Sequence, residues 1–268
     1  MKRKLLFFDL DGTLLPDGSG DITPSAAEAM KKAQANGHLC IVNTGRPLGS
    51  LGDNVTSFPF DGYICGCGTH ILYKGQEMQH VELSKELIYQ LIRWNEKEHI
   101  DIFFEGVDGL NFPPNAEFKD LDLMEYYFKK QGAKVAYYNY AISSPQEIDF
   151  RVDKFSMWRD PANPLSEYRN FLEEHFTIIE RAPSFWEVIP KGYSKATGID
   201  DLVRYAEASL EDTISFGDSY NDIAMLLHTK ESVLMGNGFP ELKDKVTYVT
   251  DSLECDGIKK AMEHFELL

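Results

Sequence analysis

Cysteine is scarce in this chain: four thiols among 268 residues, at Cys40, Cys65, Cys67 and Cys255. Cys65-Gly66-Cys67 is not a spacing that zinc or redox motifs use, and so few cysteines make no disulfide scaffold. They read as buried free thiols in a reducing, cytoplasmic setting. No apolar run is long enough to span a bilayer. The basic start, Lys2-Arg3-Lys4, leads into apolar residues, but Asp9 and Asp11 interrupt any signal-peptide core. Positive charge is also in short supply. Against 27 basic residues stand 43 acidic ones, a formal net charge of −16. That excludes the basic footprint of a nucleic-acid partner. An acidic protein still binds an anionic small molecule where a metal and a few basic groups focus the field. The seven histidines are scattered, form no metal-spaced pair and receive no role. Internal repeats, low-complexity tracts and disordered linkers are lacking too. Hydrophobic content of 43% and charged content of 26% belong to an ordinary globular protein of one large or two modest domains.

What is present starts with Phe7-Phe8-Asp9-Leu10-Asp11-Gly12-Thr13. The apolar run Leu5–Phe8 has the pattern of a buried central strand. Two unpaired carboxylates at its end are costly to bury unless a cation compensates. A hard divalent metal is therefore expected there.

Strand and helix signals alternate from this point. Thr23-Pro24 predicts a capped helix running to Gly37. Strands are predicted at Leu39–Val42 and Tyr63–Cys65, with a short helix opened by Arg46-Pro47 between them. His70–Tyr73 and Glu77–Val81 flank Lys74-Gly75 as a hairpin. The rhythm changes near Leu83. An amphipathic helix carries Leu87, Leu91 and Trp94. Beyond it come strands near Ile102–Glu105, Val135–Tyr140 and Val152–Trp158, and a loop at Pro113-Pro114. A helix is predicted around Leu121–Lys130, and another is capped by Asn163-Pro164. Strands near Phe176–Glu180 and Phe185–Ile189 close the block, whose many aromatics read as the core of a small α/β sheet. From Lys191 alternation returns: a helix capped by Ser194, strands at Thr213–Phe216, Ser232–Met235 and Val246–Val249, a helix at Asp222–Leu227, and a last helix carrying Ile258, Met262 and Phe265. Such repeated units predict an α/β fold with a doubly wound, mainly parallel sheet, and ligands of such sheets bind beyond the strands' carboxyl ends.

Four strand ends carry polar clusters: Asp9, Asp11 and Thr13; Asn43-Thr44-Gly45-Arg46; Lys191 to Lys195; and Gly217-Asp218-Ser219-Tyr220-Asn221-Asp222. In this order they resemble the four motifs of the haloacid dehalogenase-like hydrolases, Cof-type branch. Val249-Thr250 and Asp256-Gly257-Ile258 look like the same branch, as does Gly236-Asn237-Gly238, where Asn237 is expected to orient the site. Any one motif would be weak; four in order are specific. Cys67-Gly68-Thr69 departs from the branch's usual Asn-Gly-Ala loop. The resemblance implies a Rossmann-like catalytic core at residues 1–82 and 187–268, with an α+β cap inserted at 83–186 as a substrate-selecting lid.

It further implies a phosphatase for small phosphorylated metabolites, commonly sugar phosphates, working through an aspartyl phosphate. Asp9 is then the nucleophile and Asp11 the acid–base residue. Thr44 and Lys195 hold the phosphoryl oxygens, joined in substrate binding by Gly45 and Arg46. Mg²⁺ suits the all-oxygen set of Asp9, the Asp11 carbonyl, Asp218, Asn221 and Asp222. Lys191 is a rival to Lys195 but reads better as a solvated lysine. A sugar phosphotransferase or phosphomutase, and a non-catalytic ligand-binding protein on the same fold, remain open. No membrane or nucleic-acid partner is expected, and the oligomeric state is left open.

Overall fold

The first strand, β1 (Leu5–Phe8), forms from the chain's first apolar run, and all four of its residues are buried. Thr23 caps α1 (Pro24–Ala35) by accepting from the Ala26 N–H, and the helix stops before Gly37, at φ +91°. Next come β2 (Leu39–Asn43), α2 (Asp53–Thr56), β3 (Gly62–Cys65), β4 (His70–Tyr73) and β5 (Gln76–His80). In a second unit follow α3 (Lys85–Glu98), β6 (Asp101–Gly106), β7 (Gly109–Phe112), β8 (Val135–Tyr137), β9 (Lys154–Trp158), α4 (Ser166–His175), β10 (Phe176–Ala182) and β11 (Phe185–Pro190). The chain returns through α5 (Lys195–Tyr205), β12 (Thr213–Gly217), α6 (Ile223–Leu226), β13 (Glu231–Leu234), β14 (Tyr248–Val249) and α7 (Gly257–His264). This computed structural model describes residues 2–16, 20–115, 124–126, 128–129 and 133–268.

One unit comprises Met1–Gly45, Asp53–His80 and Ser194–Leu268. Its eight-stranded sheet runs β14-β13-β12-β1-β2-β3-β4-β5. The pairs from β14 to β3 are parallel, and the β4–β5 hairpin adds an antiparallel edge. β1 lies between β2 and β12, with Phe8 level with Val42 and Phe216. Alternate residues of a doubly buried strand point to opposite faces. Leu5 and Phe7 thus join a core with Ile199 and Leu202 of α5, while the Phe8 ring stacks on Phe216 at 4.5 Å. The carboxyl ends of β1, β2 and β12 therefore stand side by side, where the strand order switches direction.

The other unit comprises Arg46–Gly52 and Val81–Tyr193. Its six-stranded sheet, β10-β11-β9-β6-β7-β8, is antiparallel except for β7–β8. Ile88 and Leu91 of α3 and Tyr168 and Leu172 of α4 pack with Phe104, Phe155 and Val188. In the sheet, buried Lys154 bridges Glu105 and Glu187, each at 2.9 Å.

Several expectations are corrected. The return to the first unit comes at Ser194 rather than residue 187, because β11 pairs along its length with β9 and β10. Arg46–Gly52 belongs to the second unit. There the predicted short helix is a single 3-10 turn, Leu48–Ser50, ended by extended Leu51. β7 has no counterpart among the predicted strands, being too short to show a period. Asn163-Pro164 stands before α4 rather than capping it, since Leu165, in left-handed conformation, precedes the first turn. Of the helix expected around Leu121–Lys130, residues 124–126 and 128–129 are helical; the rest lie outside the described residues.

Candidate active site

The site is assembled from the ends of β1 and β12 and the start of α5. Asp9 continues β1, its N–H donating to the Phe216 carbonyl at 3.0 Å. Ser194 caps α5 in a reciprocal pair with Thr197, which sets Lys195 at the first helical position. The ammonium of Lys195 donates to Asp9 Oδ1 at 2.5 Å and to Asp222 Oδ1 at 2.6 Å. All three side chains are buried. The other oxygen of Asp222 accepts the N–H groups of Asp218 and Ser219, both at 3.0 Å. Asp222 thus fixes both the lysine and the turn that carries Asp218. Thr13 Oγ1 donates to Asp218 Oδ1 at 3.3 Å.

Close backbone approach holds this arrangement. Gly12 has φ +82°, and a Cβ there would lie 2.4 Å from Asp218 Oδ2. Asn237 Nδ2 donates to the Gly12 carbonyl at 2.7 Å, and its Oδ1 accepts from Leu253 N–H. Asn43, at the end of β2, donates to the Lys195 carbonyl at 3.0 Å. The turn after β3 packs on the start of α5: a Cβ on Gly68 would meet the Ser194 carbonyl at 2.4 Å. Cys67 sits in that turn with φ +56°. Asparagine, expected here from the resemblance, tolerates the left-handed region better than cysteine does.

Two carboxylates share one lysine and a third lies beside them, and the excess negative charge shows in the titration of Asp9 and Asp218. Asp9 is pushed up to about 7, first by burial and then by Asp222 and Asp11, against the pull of Lys195. Asp218 is pushed up to about 8 by burial and by Asp9 and Asp222, with Lys195 and Thr13 opposing. Burial alone would lower the pKa of Lys195, but Asp222 and Asp9 reverse this and hold it raised. One carboxylate oxygen from each of Asp9, Asp218 and Asp222 lies within 4.8 Å of the others. An all-oxygen set with surplus negative charge fits a hard cation such as Mg²⁺. Both oxygens of Asp222 already accept hydrogen bonds, so Asp9 and Asp218 are the better-placed ligands.

Of the residues expected from sequence, Asp9, Lys195, Asp218 and Asp222 come together. Asp11 is half-buried and close enough to raise Asp9. Asn221 accepts from Ser219 Oγ at 2.6 Å. Thr44 is buried just past β2; its N–H donates to Ile64 O and its carbonyl accepts from Cys67 N–H. Gly45 ends that segment of the first unit, while Arg46 belongs to the second. Lys191 is also in the second unit, where it donates to the Glu173 carbonyl. Ser219 was missed as a donor to Asp222; the signal was its place three residues before that carboxylate. Two of the histidines left without a role lie together: His70 and His80 are register partners across β4–β5 and meet Glu77. Ten residues separate them, a spacing that no sequence motif marks but a hairpin brings together.

A parallel sheet that gathers three carboxylates and a shared lysine at its central strand ends defines an α/β enzyme site suited to an anionic substrate. A profile of the haloacid dehalogenase-like hydrolases matches residues 6–262, and the chain belongs to that family. It is a phosphatase. It is 25% identical, over 99% of both chains, to the 5-amino-6-(5-phospho-D-ribitylamino)uracil phosphatase YitU of Bacillus subtilis. It is 24% identical to the HMP-PP phosphatase of Yersinia enterocolitica, over 98% of this chain and 95% of that one. Among solved structures it resembles the HAD subclass IIB sugar phosphatase BT4131, with a TM-score of 0.82 and 27% identity over 99% of this chain and 100% of the other.

Proposed function

We propose that the protein hydrolyses phosphate monoesters of small metabolites, sugar phosphates among them, through a covalent phosphoryl-Asp9 intermediate. The observation that carries this is the buried Lys195 ammonium held between Asp9 and Asp222, with Asp218 beside them. Hydrolysis of a phosphate ester needs a positioned nucleophile and charge stabilisation around the phosphoryl oxygens. A carboxylate oxygen of Asp9 forms the bond to phosphorus as the bond to the leaving oxygen breaks. Asp11 gives that oxygen its proton. Asp11 then takes a proton from water, whose oxygen attacks phosphorus and frees the Asp9 carboxylate and inorganic phosphate. Lys195 offsets the charge of nucleophile and phosphoryl group, and Thr44 donates to a phosphoryl oxygen. Asp222 keeps Lys195 and the Asp218 turn in place. Mg²⁺ would be held by Asp9, the Asp11 carbonyl and Asp218, with Asn221 and Asp222 beside them, and would supply charge neutralisation between carboxylate and phosphate.

The names of the relatives support small phosphorylated substrates, and we assign the second unit, together with Arg46, to their selection. A panel of phosphorylated metabolites assayed with and without Mg²⁺ tests the reading. Turnover on sugar phosphates should require the ion and vanish in Asp9→Asn. Retained turnover in that variant would rule out the covalent route.

A further inference from the structure

We propose that His70, Glu77 and His80 form a second metal site in this chain, for a borderline transition ion such as Zn²⁺. His70 Nε2 lies 3.0 Å from Glu77 Oε2, and His80 Nδ1 lies 4.0 Å from the same oxygen. One ligand atom from each residue falls within 4.8 Å of the others. A tetrahedral zinc ion, about 2.0–2.2 Å from each ligand, sets them ~3.3 Å apart. To bind one ion the triangle must close along its longer edges, and the stacked His70 and His80 rings must turn out of parallel, since each imidazole lone pair lies in its ring plane. Glu77, whose side chain is 58% exposed, has the freedom to follow.

The hairpin's irregularity produces the cluster. In a regular strand, residues three apart point to opposite faces. Glu77 and His80 are three apart, yet both reach the His70 ring. The β4–β5 register shifts between Ile71 and Leu72, so that Ile71 faces Gln79 while Leu72 faces Glu77. The inserted residue, Met78, turns Glu77 to the side of His80. Met78 itself packs against the apolar core, and Gln79 Nε2 donates to the Gly68 carbonyl, so the bulge is held from both sides. His70 is fully buried, and its ring stacks on His80 with centroids 3.9 Å apart and planes 12° apart. Neutral imidazole is the form that takes a metal. Two imidazoles and one carboxylate suit Zn²⁺, with a remaining position open to water. The donor set differs from the all-oxygen cluster of Asp9, Asp218 and Asp222, so the two centres should sort ions by hardness.

The test uses tag-free full-length protein, stripped by chelator and returned to excess Mg²⁺, so that the carboxylate site is filled with its preferred ion. Zn²⁺ uptake is read by competition with a chromophoric chelator. Co²⁺ is then added as a spectroscopic probe, because low-coordinate sites absorb strongly in the visible. The wild type should take up one Zn²⁺ per chain. His80→Gln and Glu77→Gln should weaken uptake at least ~10-fold, the scale seen when a supporting contact of a metal site is lost. Asp9→Asn should bind Zn²⁺ as the wild type does. Glu77→Gln changes only an exposed side chain, so the test survives if His80→Gln folds poorly. Absence of uptake by the wild type, or uptake unchanged in Glu77→Gln, would overturn the proposal.

Discussion

Asp9→Asn should stabilise the metal-free protein, and do so increasingly as pH rises. Asp9 has a folded-state pKa of about 7 against an ordinary 3.8, chiefly because it is buried and faces Asp222. A raised carboxyl pKa means that the folded protein holds the proton more tightly than the unfolded chain, so stability falls as pH rises between the two values. Above pH 7 the wild type bears the full difference, about three pH units or ~4 kcal/mol at 1.36 kcal/mol per unit. At pH 5 the folded protein still carries the proton, and only about one unit, ~1.5 kcal/mol, is felt. Asparagine removes this dependence while its carbonyl still accepts from Lys195. The stability difference between variant and wild type should thus grow by about 2–3 kcal/mol from pH 5 to pH 8, which is about 5–10 °C in melting temperature for a protein of this size. Asp218, raised to about 8 partly by Asp9, should relax in the variant and add to the effect. The assay is calorimetric melting in chelator at both pH values. A difference that stays constant with pH, or a variant less stable at pH 8, would refute the electrostatic account. Adding Mg²⁺ should raise the wild type more than the variant.

Removing the cation of the cluster should act in the opposite direction. Lys195→Ala leaves Asp9 and Asp222 buried without their partner, and the expected loss is about 3–5 kcal/mol by denaturant unfolding at pH 8, together with loss of turnover. Gly12→Ala places a methyl group 2.4 Å from Asp218 Oδ2 at a backbone φ of +82°. It should raise the Mg²⁺ concentration needed for half-maximal activity, and an unchanged Mg²⁺ dependence would count against a role for Asp218 as ligand.

Those residues differ in how plainly the sequence announced them. Asp9 was legible because charge at the end of a buried apolar strand violates the local pattern, and a violated pattern points to function. Asp218 and Lys195 stood in strand-end clusters, and what singled them out was the resemblance of the four clusters, in order, to a known family. The parallel sheet followed from alternation of strand and helix signals, with β1, β2 and β12 close to their expected bounds. Less visible were features fixed by three-dimensional register. β7 is four residues long and carries no period. The bulge that turns Glu77 toward His80 depends on pairing with β4, which sequence spacing does not encode. The unit boundary at Ser194 depends on β11 pairing to its last residue, Pro190, with Phe176 of β10.

The division of labour between Asp9 and Asp222 shows why geometry is needed to assign roles within such a cluster. Both carboxylates bind the same ammonium at nearly equal distance, and from sequence both were expected at the metal. Asp222, however, spends its second oxygen on two backbone N–H groups. Both of its oxygens are thus committed, and its proximity raises Asp9 and Asp218. Among the described residues no such backbone donors hold the Asp9 carboxylate, and its side-chain partner is Lys195. One carboxylate is therefore anchored to the turn that it organises. The other is left strained by its neighbours at the end of the central strand, where a cation or a phosphoryl group relieves it.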